Sequence, residues 1–562
     1  MESHDPPESA NGGSVAGAVN RDPTDEGFLA LELFKVHCNR RGVLSLKNLR
    51  AGVAIVLSVW FGNSLSAQEA AKVFEYQDVV KKAEALAKQP YAAPTMELSP
   101  DLQHLDYDQY RRIRFLPEHA IWPGAPYRLG FHHPGYRSTT PVLFHEIAKD
   151  RLRDIAFSPS YFFYESPINF SGHEQFVGFR AYVPEKQPGV LDEFIVFQGA
   201  SYFRAVAKGV DWGLSARGLG VNTGISAPEE FPIFREYWMR KPNPGDDALQ
   251  FYALLDGPSV TGGYQFSVKY GETTTVDVKA TVFVRKKPEV LVFAPLSSMF
   301  YFGGNTINKP ILKPDYQPTG KMDFSMNKTD FNRREFRPQV HDSDGLLMDT
   351  TSGEKMWVPL DNPHAVSVRR FSSVVSFSLV QRDRDVNDYL DREANYHRRP
   401  TVTVVPKSDF GSGFVRLLEF PTADEYTDNI GVGWEPQTVP EAGGHIELAY
   451  QLLWRGDEPD TNQFRVASTT VRPNPAANET RFLVEYAKPQ NGETIPVAEL
   501  RPLIQVGDSG QVKDVEFTPT NRGWLVGFTV FNPNGSKPLD ISCVILRRDV
   551  FSSEKWQYLL NI

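Results

Sequence analysis

Two acidic stretches contain the residues that could perform chemistry. The first is RPQVHDSDG at residues 337–345, and the second is PTADEYTDNI at residues 421–430. Cleavage of a bond between two sugars needs one protonated carboxyl group to release the leaving oxygen and one carboxylate to activate water. Asp342 in the first stretch and Asp428 in the second could supply this pair as base and acid.

The same residues also allow a structural explanation. The chain has 69 Asp and Glu residues, so many acidic pairs can be drawn from it. Asp-Ser-Asp-Gly is in addition a common surface turn, in which short polar side chains cap their own backbone. The acidic stretches alone therefore do not distinguish an active site from an ordinary turn.

Composition limits the classes of function. At 562 residues the chain is long enough for two or three domains with sizeable cores. Its 60 basic and 69 acidic residues give a net charge of -9, and no basic stripe indicates a nucleic acid or an anionic membrane surface as a partner. An aromatic content of 12 % fits rings that stack on sugars, and equally fits Phe and Tyr in β-sheet cores.

Cysteine and histidine give no sign of a metal or cofactor. Cys38 and Cys543 are the two cysteines of the chain. Because Cys38 lies in a segment that we expect to be removed, one thiol would remain, which excludes a disulfide within the chain and a zinc site built from cysteine. His132, His133 and His145 lack a third ligand at a typical spacing. We therefore predict no metal and no cofactor.

Residues 1–67 are predicted to be a disordered start followed by an export signal. Arg40 and Arg41 precede a short apolar run at residues 51–61, and small residues near Ala67 offer a cleavage site. The run is far shorter than the roughly 20 residues that span a bilayer, which favours a cleaved signal over a membrane anchor. The arginine pair favours the twin-Arg route, which carries folded proteins.

Short strands dominate the pattern after this leader. Residues 276–284 alternate apolar and mostly polar side chains, with the period of two expected for a half-buried strand. Similar runs recur without intervening helical patterns, which predicts an all-β fold with a large antiparallel β-sandwich at residues 68–437. Helical spacing at residues 73–88 predicts one short amphipathic helix, and Ser99 is expected to cap another.

The last segment, residues 438–562, is predicted to be a second and smaller sandwich. Two prolines and two glycines at residues 436–444 separate it from the first. Its strands begin with HIELAYQLLW at residues 445–454, and Asn-Gly pairs at 491–492 and 534–535 mark tight turns. About seven short strands in such a length are typical of an immunoglobulin-like sandwich.

Eight stretches form a series that covers nearly the whole chain after the leader. The stretches are FQGASYFRAV (197–206), WGLSARGLG (212–220), EEFPIFREYW (229–238), YALLDGPSVTGGYQF (252–266), APLSSMFYFG (294–303), VHDSDGL (340–346), QRDRDV (381–386) and PTADEYTDNI (421–430). Together, and in this order, they resemble the OpgG/OpgD family of periplasmic glucan biosynthesis proteins.

The resemblance implies a fold, a location and a role. The expected fold is a large galactose-mutarotase-like β-sandwich followed by a smaller immunoglobulin-like sandwich. The expected role is the synthesis of osmoregulated periplasmic glucans, which have β-1,2-linked glucose backbones, in the periplasm. A membrane glucan synthase is an implied partner, and the mature protein is expected to have no membrane span.

The resemblance also implies an activity and its residues. Members of the D type are understood to be anomer-inverting hydrolases of β-1,2-glucan, and some relatives are inverting transglycosylases. Carried over to this chain, the general acid is Asp428, the general base is Asp342, and Tyr396 contacts the substrate. The base is thought to act through a chain of water and a sugar hydroxyl, which is longer than the single water of an ordinary inverting site.

This mechanism requires particular neighbours around the two carboxyl groups. The pKa of Asp428 must be raised so that it stays protonated, for which a partly apolar cleft and the nearby Glu425 are candidates. Asp342 must stay ionised, and His341 and Arg337 lie close enough in sequence to stabilise its charge. These pairings are predictions that need coordinates.

Three further residues are candidate donors to glucose hydroxyls: Tyr202, Arg204 and Arg217. The alternative is that the arginines form structural ion pairs in the interior. Residues 306–335 differ from the family by an apparent insertion that runs directly into the stretch of the base. It is interpreted either as a loop or lid that decides between water and a sugar acceptor, or as a surface insertion without effect.

Two functions of different class remain open at this point. The first is an inverting β-1,2-glucan hydrolase or transglycosylase. The second is a non-catalytic glucan-binding or scaffold protein that assists a membrane glucosyltransferase with the same cleft. Release of shorter or cyclic products from linear β-1,2-glucan would distinguish them.

Overall fold

The computed structural model describes residues 73–561, except 150, 185–189, 307–335, 459–460, 490–494 and 535–536. The predicted export signal at residues 1–67 therefore lies outside the described residues. The same holds for the predicted insertion at 306–335, apart from Thr306. Within the described part of the chain, no helix is long and apolar enough to cross a membrane.

Helices are short and lie mainly before the first sheet. The α-helices are α1 (Tyr76–Ala87), α2 (Pro100–Gln103) and α3 (Tyr107–Arg111). Both sequence predictions of helices are confirmed, since α1 matches the amphipathic segment and Ser99 caps α2 by accepting a hydrogen bond from the backbone N–H of Leu102. In the described part of the chain, single turns of 3-10 helix are Pro117–His119, Pro159–Tyr161, Val386–Asp388, Tyr396–Arg398, Pro475–Ala477 and Val497–Glu499.

Strands before residue 307 run from β1 to β16. They are β1 (Arg114–Phe115), β2 (Arg128–Phe131), β3 (Leu143–Ala148), β4 (Arg151–Asp154), β5 (Phe162–Phe163), β6 (Gly178–Pro184), β7 (Leu191–Gln198), β8 (Tyr202–Ala205), β9 (Ser215–Arg217), β10 (Leu219–Val221), β11 (Ile233–Arg240), β12 (Leu249–Asp256), β13 (Val260–Lys269), β14 (Thr273–Val284), β15 (Leu291–Ser298) and β16 (Phe300–Phe302).

Strands after the insertion run from β17 to β33. They are β17 (Val340–His341), β18 (Gly345–Thr350), β19 (Lys355–Pro359), β20 (Ser367–Phe371), β21 (Val374–Val380), β22 (Thr401–Pro406), β23 (Gly413–Glu419), β24 (Ile430–Pro436), β25 (His445–Arg455), β26 (Arg465–Asn474), β27 (Glu479–Ala487), β28 (Leu500–Val506), β29 (Gln511–Pro519), β30 (Gly523–Phe531), β31 (Leu539–Arg547), β32 (Val550–Phe551) and β33 (Lys555–Leu560).

Two large sheets form the first sandwich. One has ten strands in the order β2-β6-β7-β8-β9-β15-β24-β23-β20, with β10 paired to β15. The other has fifteen strands, and its part from β19 to β4 faces the first sheet across a core in which Phe, Val, Leu and Tyr predominate. The buried side chains alternate along strands such as β14, because successive side chains point to opposite faces. The predicted all-β sandwich fold is confirmed.

The second sandwich shares a sheet with the first. Strands β28, β31 and β33 continue the fifteen-stranded sheet, and β33 pairs in parallel with β19. They pack against a separate sheet of order β26-β27-β30-β29. The core between these sheets also includes Leu347 and Trp357 from strands of the first sandwich. The two sandwiches are therefore joined by backbone hydrogen bonds between β19 and β33 and by shared core residues.

One predicted assignment is wrong. Strand β25 was assigned to the second sandwich, because the proline- and glycine-containing stretch before it resembled a domain boundary. In the structure β25 pairs with β14 from Thr273↔Arg455 to Phe283↔His445, and on its other side with β22. It contributes four buried residues to the first core: Leu448, Tyr450, Leu452 and Trp454. The stretch before β25 is thus a connection within the first sandwich.

Candidate functional site

One face of the β8–β9 strand pair carries four polar side chains, one of which is a tyrosine. The antiparallel register pairs Tyr202 with Arg217 and the next residue, Phe203, with Ala216. Because side chains alternate along a strand, Tyr202 and Arg204 share a face with Ser215 and Arg217. Phe203 and its partner point the other way, into the first core. Three of the sequence-predicted site residues are thereby brought onto one surface.

Asp428 lies against this face. It precedes β24, in a connection whose start is fixed by the side-chain amide of Asn362. Oδ1 of Asn362 accepts from the Thr422 N–H at 2.9 Å, and Nδ2 of Asn362 donates to the Thr422 carbonyl at 3.0 Å. Oδ2 of Asp428 is 3.8 Å from Nη2 of Arg204, and the Asp428 side chain is 19 % exposed. The predicted acid is thus mostly buried beside a cation, with part of its surface accessible.

Asp342 is held at the end of strand β17. Its backbone N–H donates to the Met299 carbonyl at 2.8 Å, which extends the pairing of β17 with β16. Its Oδ1 lies 3.5 Å from Nε of Arg399. Arg399 is itself fixed by two main-chain carbonyls, those of Trp212 and Ala394. A rigidly held guanidinium therefore lies beside the predicted base.

Asp342 and Asp428, which we call the acidic pair, are coupled in one direction: the charge of Asp342 acts on Asp428. The pKa of Asp428 is raised, first by burial and then by the negative charge of Asp342. Arg204, Arg399 and the hydroxyl of Ser215 act in the opposite direction and lower this pKa. Since Asp342 acts on Asp428 electrostatically, residues 86 positions apart in the chain converge in space. Charge repulsion and burial together favour a proton on Asp428.

The neighbours predicted for the acidic pair need correction. Burial and Asp342, not Glu425, raise the pKa of Asp428. His341 is not a cation near neutral pH, because burial lowers its pKa. The predicted cations for Asp342 were those nearest in sequence, whereas the contact in the structure comes from Arg399 on a distant segment.

Glu425 belongs to a separate ion cluster with Arg337 and Tyr396. Its Oε2 accepts from the Tyr396 hydroxyl at 2.7 Å and from Nη1 of Arg337 at 2.7 Å. Nη1 of Arg337 also contacts Asp391 at 2.9 Å. The cluster connects the stretch of the predicted base, the stretch of the predicted acid and the segment of Tyr396. Contact of Tyr396 and Glu425 with a sugar remains a prediction.

Arg217 forms a structural ion pair, which is the alternative that the sequence allowed for the arginines of this face. Its Nη1 donates to Glu229 at 2.8 Å, and its guanidinium lies over the rings of Tyr202 and Phe231, with its carbon 4.8 and 5.2 Å from the ring centroids. The residue is 5 % exposed. These contacts support the β8–β9 face and leave Arg204 as the more accessible arginine of the two.

Among the residues that the structure describes, one cluster could hold a metal ion: His341, Asp344 and Asp383, whose ligand atoms lie within 4.8 Å of one another. Burial raises the pKa of Asp344 to about 6. Protein donors already engage both carboxylates: Asp344 accepts from the backbone N–H groups of Arg382 and Asp383, and Asp383 accepts from the Gln339 amide. This satisfied network supports the strand that precedes Asp342.

Two residues of the site were missed by sequence reasoning: Arg399 and Ser215. A signal was present for each. Ser215 is two positions before Arg217, and therefore on the same strand face. Arg399 follows Tyr396 by three residues in YHRR. Neither signal identifies the partner side chain, since that depends on distant pairing.

A cavity of about 550 Å³ lies elsewhere in the first sandwich. It is lined by Phe293, Phe410, Trp434, Ile446 and other residues near the far end of β24. None of the predicted site residues lines it. Converging charged groups, and not this cavity, therefore mark the position of the acidic pair.

The fold and the site define a class: a two-sandwich all-β protein with a mostly buried acidic pair flanked by arginines. The chain belongs to the family described as periplasmic glucan biosynthesis protein, MdoG, whose model matches residues 74–319 and 311–560. The predicted family membership is confirmed.

Curated relatives agree with this assignment. The chain is 36 % identical over 532 residues to glucans biosynthesis protein G of Pseudomonas entomophila (strain L48). The aligned region covers 89 % of this chain and 85 % of the relative. It is 36 % identical over 517 residues to the protein of the same name in Ralstonia nicotianae, with coverage of 88 % and 98 %. For the Serratia proteamaculans protein of that name, identity is 34 % over 508 residues, with coverage of 87 % and 93 %.

Proposed function

We propose that this protein acts in the periplasm in glucan biosynthesis, as an anomer-inverting enzyme that cleaves or transfers β-1,2-linked glucan. Family membership and relatives named glucans biosynthesis protein G support the biosynthetic role and the location. The observation that carries the enzymatic part is the acidic pair: a mostly buried carboxyl group with a raised pKa, in electrostatic contact with a second carboxyl group beside an arginine.

In the proposed reaction Asp428 is the acid. Its O–H bond breaks as the glycosidic oxygen takes the proton, and the bond from that oxygen to the anomeric carbon breaks. A water oxygen forms a bond to the anomeric carbon from the opposite face, which inverts the configuration. The proton that this water loses passes to the Asp342 carboxylate. If a sugar hydroxyl takes the place of water, the same steps give transglycosylation.

The surroundings of the two carboxyl groups support these roles. Burial raises the pKa of Asp428, because removal from water disfavours the charged form. The Arg399 guanidinium, 3.5 Å from Oδ1 of Asp342, can hold that side chain in place. Arg204 lies 3.8 Å from Asp428, and its side chain is 21 % exposed, so a sugar hydroxyl can reach it.

Product analysis tests this proposal. Purified protein is incubated with linear β-1,2-glucan, and products are followed by chromatography and by proton NMR of the anomeric signals. We expect shorter or cyclic glucans with inverted configuration. We expect Asp428→Asn and Asp342→Asn each to reduce the rate by about 100-fold or more, because each removes a proton-transfer group.

Asp409→Asn is the matched control, because Asp409 is an exposed carboxylate that caps its own turn at Gly411. It should retain the wild-type rate. Wild-type rates in either variant of the acidic pair would contradict the assignment. Unchanged polymer that nevertheless raises the melting temperature of the wild-type protein would favour the glucan-binding or scaffold function and would exclude the enzymatic one.

A further inference from the structure

Two buried oxygen atoms of the site are unpaired among the residues described: Oγ of Ser215 and Oδ2 of Asp428. Ser215 is 1 % exposed, so water does not reach its hydroxyl. The Ser215 hydroxyl is nevertheless one of the influences that lower the pKa of Asp428. A buried hydroxyl without a partner is costly, so each of these atoms has a reason to bond to the other.

Strand pairing brings these atoms together. The pair Phe203↔Ala216 is followed by Arg204 opposite Ser215, on the face described above. Ser215 also pairs with Ser297 of β15, and Ser297 pairs with Gly431 of β24. Since neighbouring strands lie about 4.8 Å apart, Ser215 is two strands from a residue that follows Asp428 by three positions. Ser215 is therefore the cross-strand neighbour of Arg204 on the face where Nη2 of Arg204 lies 3.8 Å from Oδ2 of Asp428.

The two oxygens of Asp428 have different surroundings. Oδ2 is buried and lies 3.8 Å from Nη2 of Arg204, whereas the Asp428 side chain as a whole is 19 % exposed. Oδ1 is therefore the oxygen that a ligand can reach. An acid that protonates a glycosidic oxygen must carry its proton on the accessible oxygen, within hydrogen-bond reach of the atom that receives it.

We propose that Ser215 is a positioning residue whose hydroxyl donates to Oδ2 of Asp428, so that the transferable proton resides on Oδ1. Arg204 acts on the same oxygen and strengthens this preference, because a cation and a donor at Oδ2 both oppose a proton there. In the reaction the Oδ1–H bond breaks and the proton goes to the leaving oxygen, while the hydrogen bond from Ser215 stabilises the carboxylate that remains. This inference rests on the proposed function of Asp428 as the acid.

The sign of the expected effect follows from the groups that face Asp428. These are Arg204, Arg399, Asp342 and Ser215, and Tyr202 is close enough for its own pKa to be raised by Asp428. A hydrogen bond to the charged form lowers the pKa of an acid. Loss of the hydroxyl should therefore raise the pKa of Asp428 further, and the loss of activity with rising pH should occur at higher pH.

The pH dependence of kcat for β-1,2-glucan cleavage tests the inference. In Ser215→Ala we expect kcat to fall about tenfold with little change in KM, because proton transfer is impaired and sugar contacts are kept. We also expect the basic limb of the profile to move to higher pH. Ser215→Thr keeps a hydroxyl and should restore the basic limb. Thr480→Val is the matched control, because Thr480 carries a hydroxyl that is likewise buried without a partner in the described second sandwich.

A merely structural role for Ser215 predicts a different result. Ser215→Ala would then lower the melting temperature and kcat together, and the basic limb would stay in place. That outcome overturns the inference. It is also overturned if Ser215→Thr behaves like Ser215→Ala while its melting temperature equals that of the wild type.

A second measurement separates this inference from the proposed function. The carboxyl carbon of Asp428 is titrated by carbon-13 NMR, with its signal identified by its loss in Asp428→Asn. We expect the pKa of Asp428 to be higher in Ser215→Ala than in the wild-type protein, whether or not glucan is cleaved. If the pKa of Asp428 is the same in Ser215→Ala as in the wild-type protein, the proposed hydrogen bond from Ser215 is refuted. A shifted titration in a protein that cleaves no glucan overturns the enzymatic proposal and leaves the hydrogen bond supported.

Discussion

Arg382 forms an ion cluster between the two sandwiches, and its removal gives the most quantitative prediction. The guanidinium donates to Glu458 at 2.7 and 2.6 Å and to Glu554 at 3.1 Å from each of two nitrogens. It also donates to the Val466 carbonyl and stacks on the Trp357 ring, with its carbon 3.6 Å from the ring centroid. The three charged side chains are 9 %, 5 % and 1 % exposed. Water therefore cannot replace the contacts of this cluster.

The expected cost of Arg382→Met follows from this burial. Two carboxylates would stay in the interior without their cation, and breaking such a buried ion pair typically costs 3–5 kcal/mol, so we expect a loss of about 4 kcal/mol in the free energy of unfolding. Urea denaturation followed by tryptophan fluorescence measures the change.

Arg370→Met is the matched control for this prediction. Arg370 makes the same two-pronged contact, with both distances to Glu435 at 2.9 Å, but its side chain is 45 % exposed. Arg416 would remain 3.2 Å from Glu435 after the substitution. We expect a loss of less than about 1 kcal/mol. A loss of less than about 1 kcal/mol in Arg382→Met would refute the argument that the buried cluster stabilises the joined sandwiches.

Three further predictions concern helix packing, titration and the Glu425 cluster. In Gly263→Ala the new methyl group would lie 3.0 Å from backbone atoms of Val80 in α1, so we expect a loss of about 1–3 kcal/mol in urea denaturation; Gly304→Ala, where the nearest atom is 3.8 Å away, should be neutral. Burial raises the pKa of Asp361 to about 6, so the folded state holds a proton that the unfolded state has released. As the pH rises from about 4 to about 6, the contribution of Asp361 to the free energy of unfolding should fall. If the difference in free energy of unfolding between the wild type and Asp361→Asn does not vary over this range, the argument is contradicted. Tyr396→Phe removes the donor to Glu425 and should cost about 1 kcal/mol in the free energy of unfolding, whereas wild-type stability would show that this hydrogen bond contributes nothing.

The sequence predicts local structure well, because local structure depends on neighbours along the chain. The alternation in β14, the cap at Ser99 and the apolar spacing of α1 each correspond to an observed element. The same alternation places Arg204 and Arg217 on one face once strands β8 and β9 are located and paired. The all-β sandwich architecture follows from the repetition of such segments.

Partners across the fold could not be predicted in the same way. Strand β25 pairs with β14, which precedes it by more than 160 residues, and no local signal distinguishes this from pairing in the second sandwich. The contact of Arg399 with Asp342 likewise depends on the packing of two distant segments. Sequence proximity suggested Arg337 instead, which in the structure binds Glu425 and Asp391. Side-chain pairing is a property of register and packing, which one sequence does not specify locally.

The most direct test of the account is a crystal structure of the Asp428→Asn variant with a bound β-1,2-linked gluco-oligosaccharide. We predict that the side chain at position 428 lies within hydrogen-bond distance of a glycosidic oxygen, with Asp342 on the opposite face of the adjoining sugar ring. Arg204 should contact a sugar hydroxyl. An oligosaccharide bound away from both aspartates, for example in the cavity at Trp434, would contradict the central claim that the acidic pair acts on glucan.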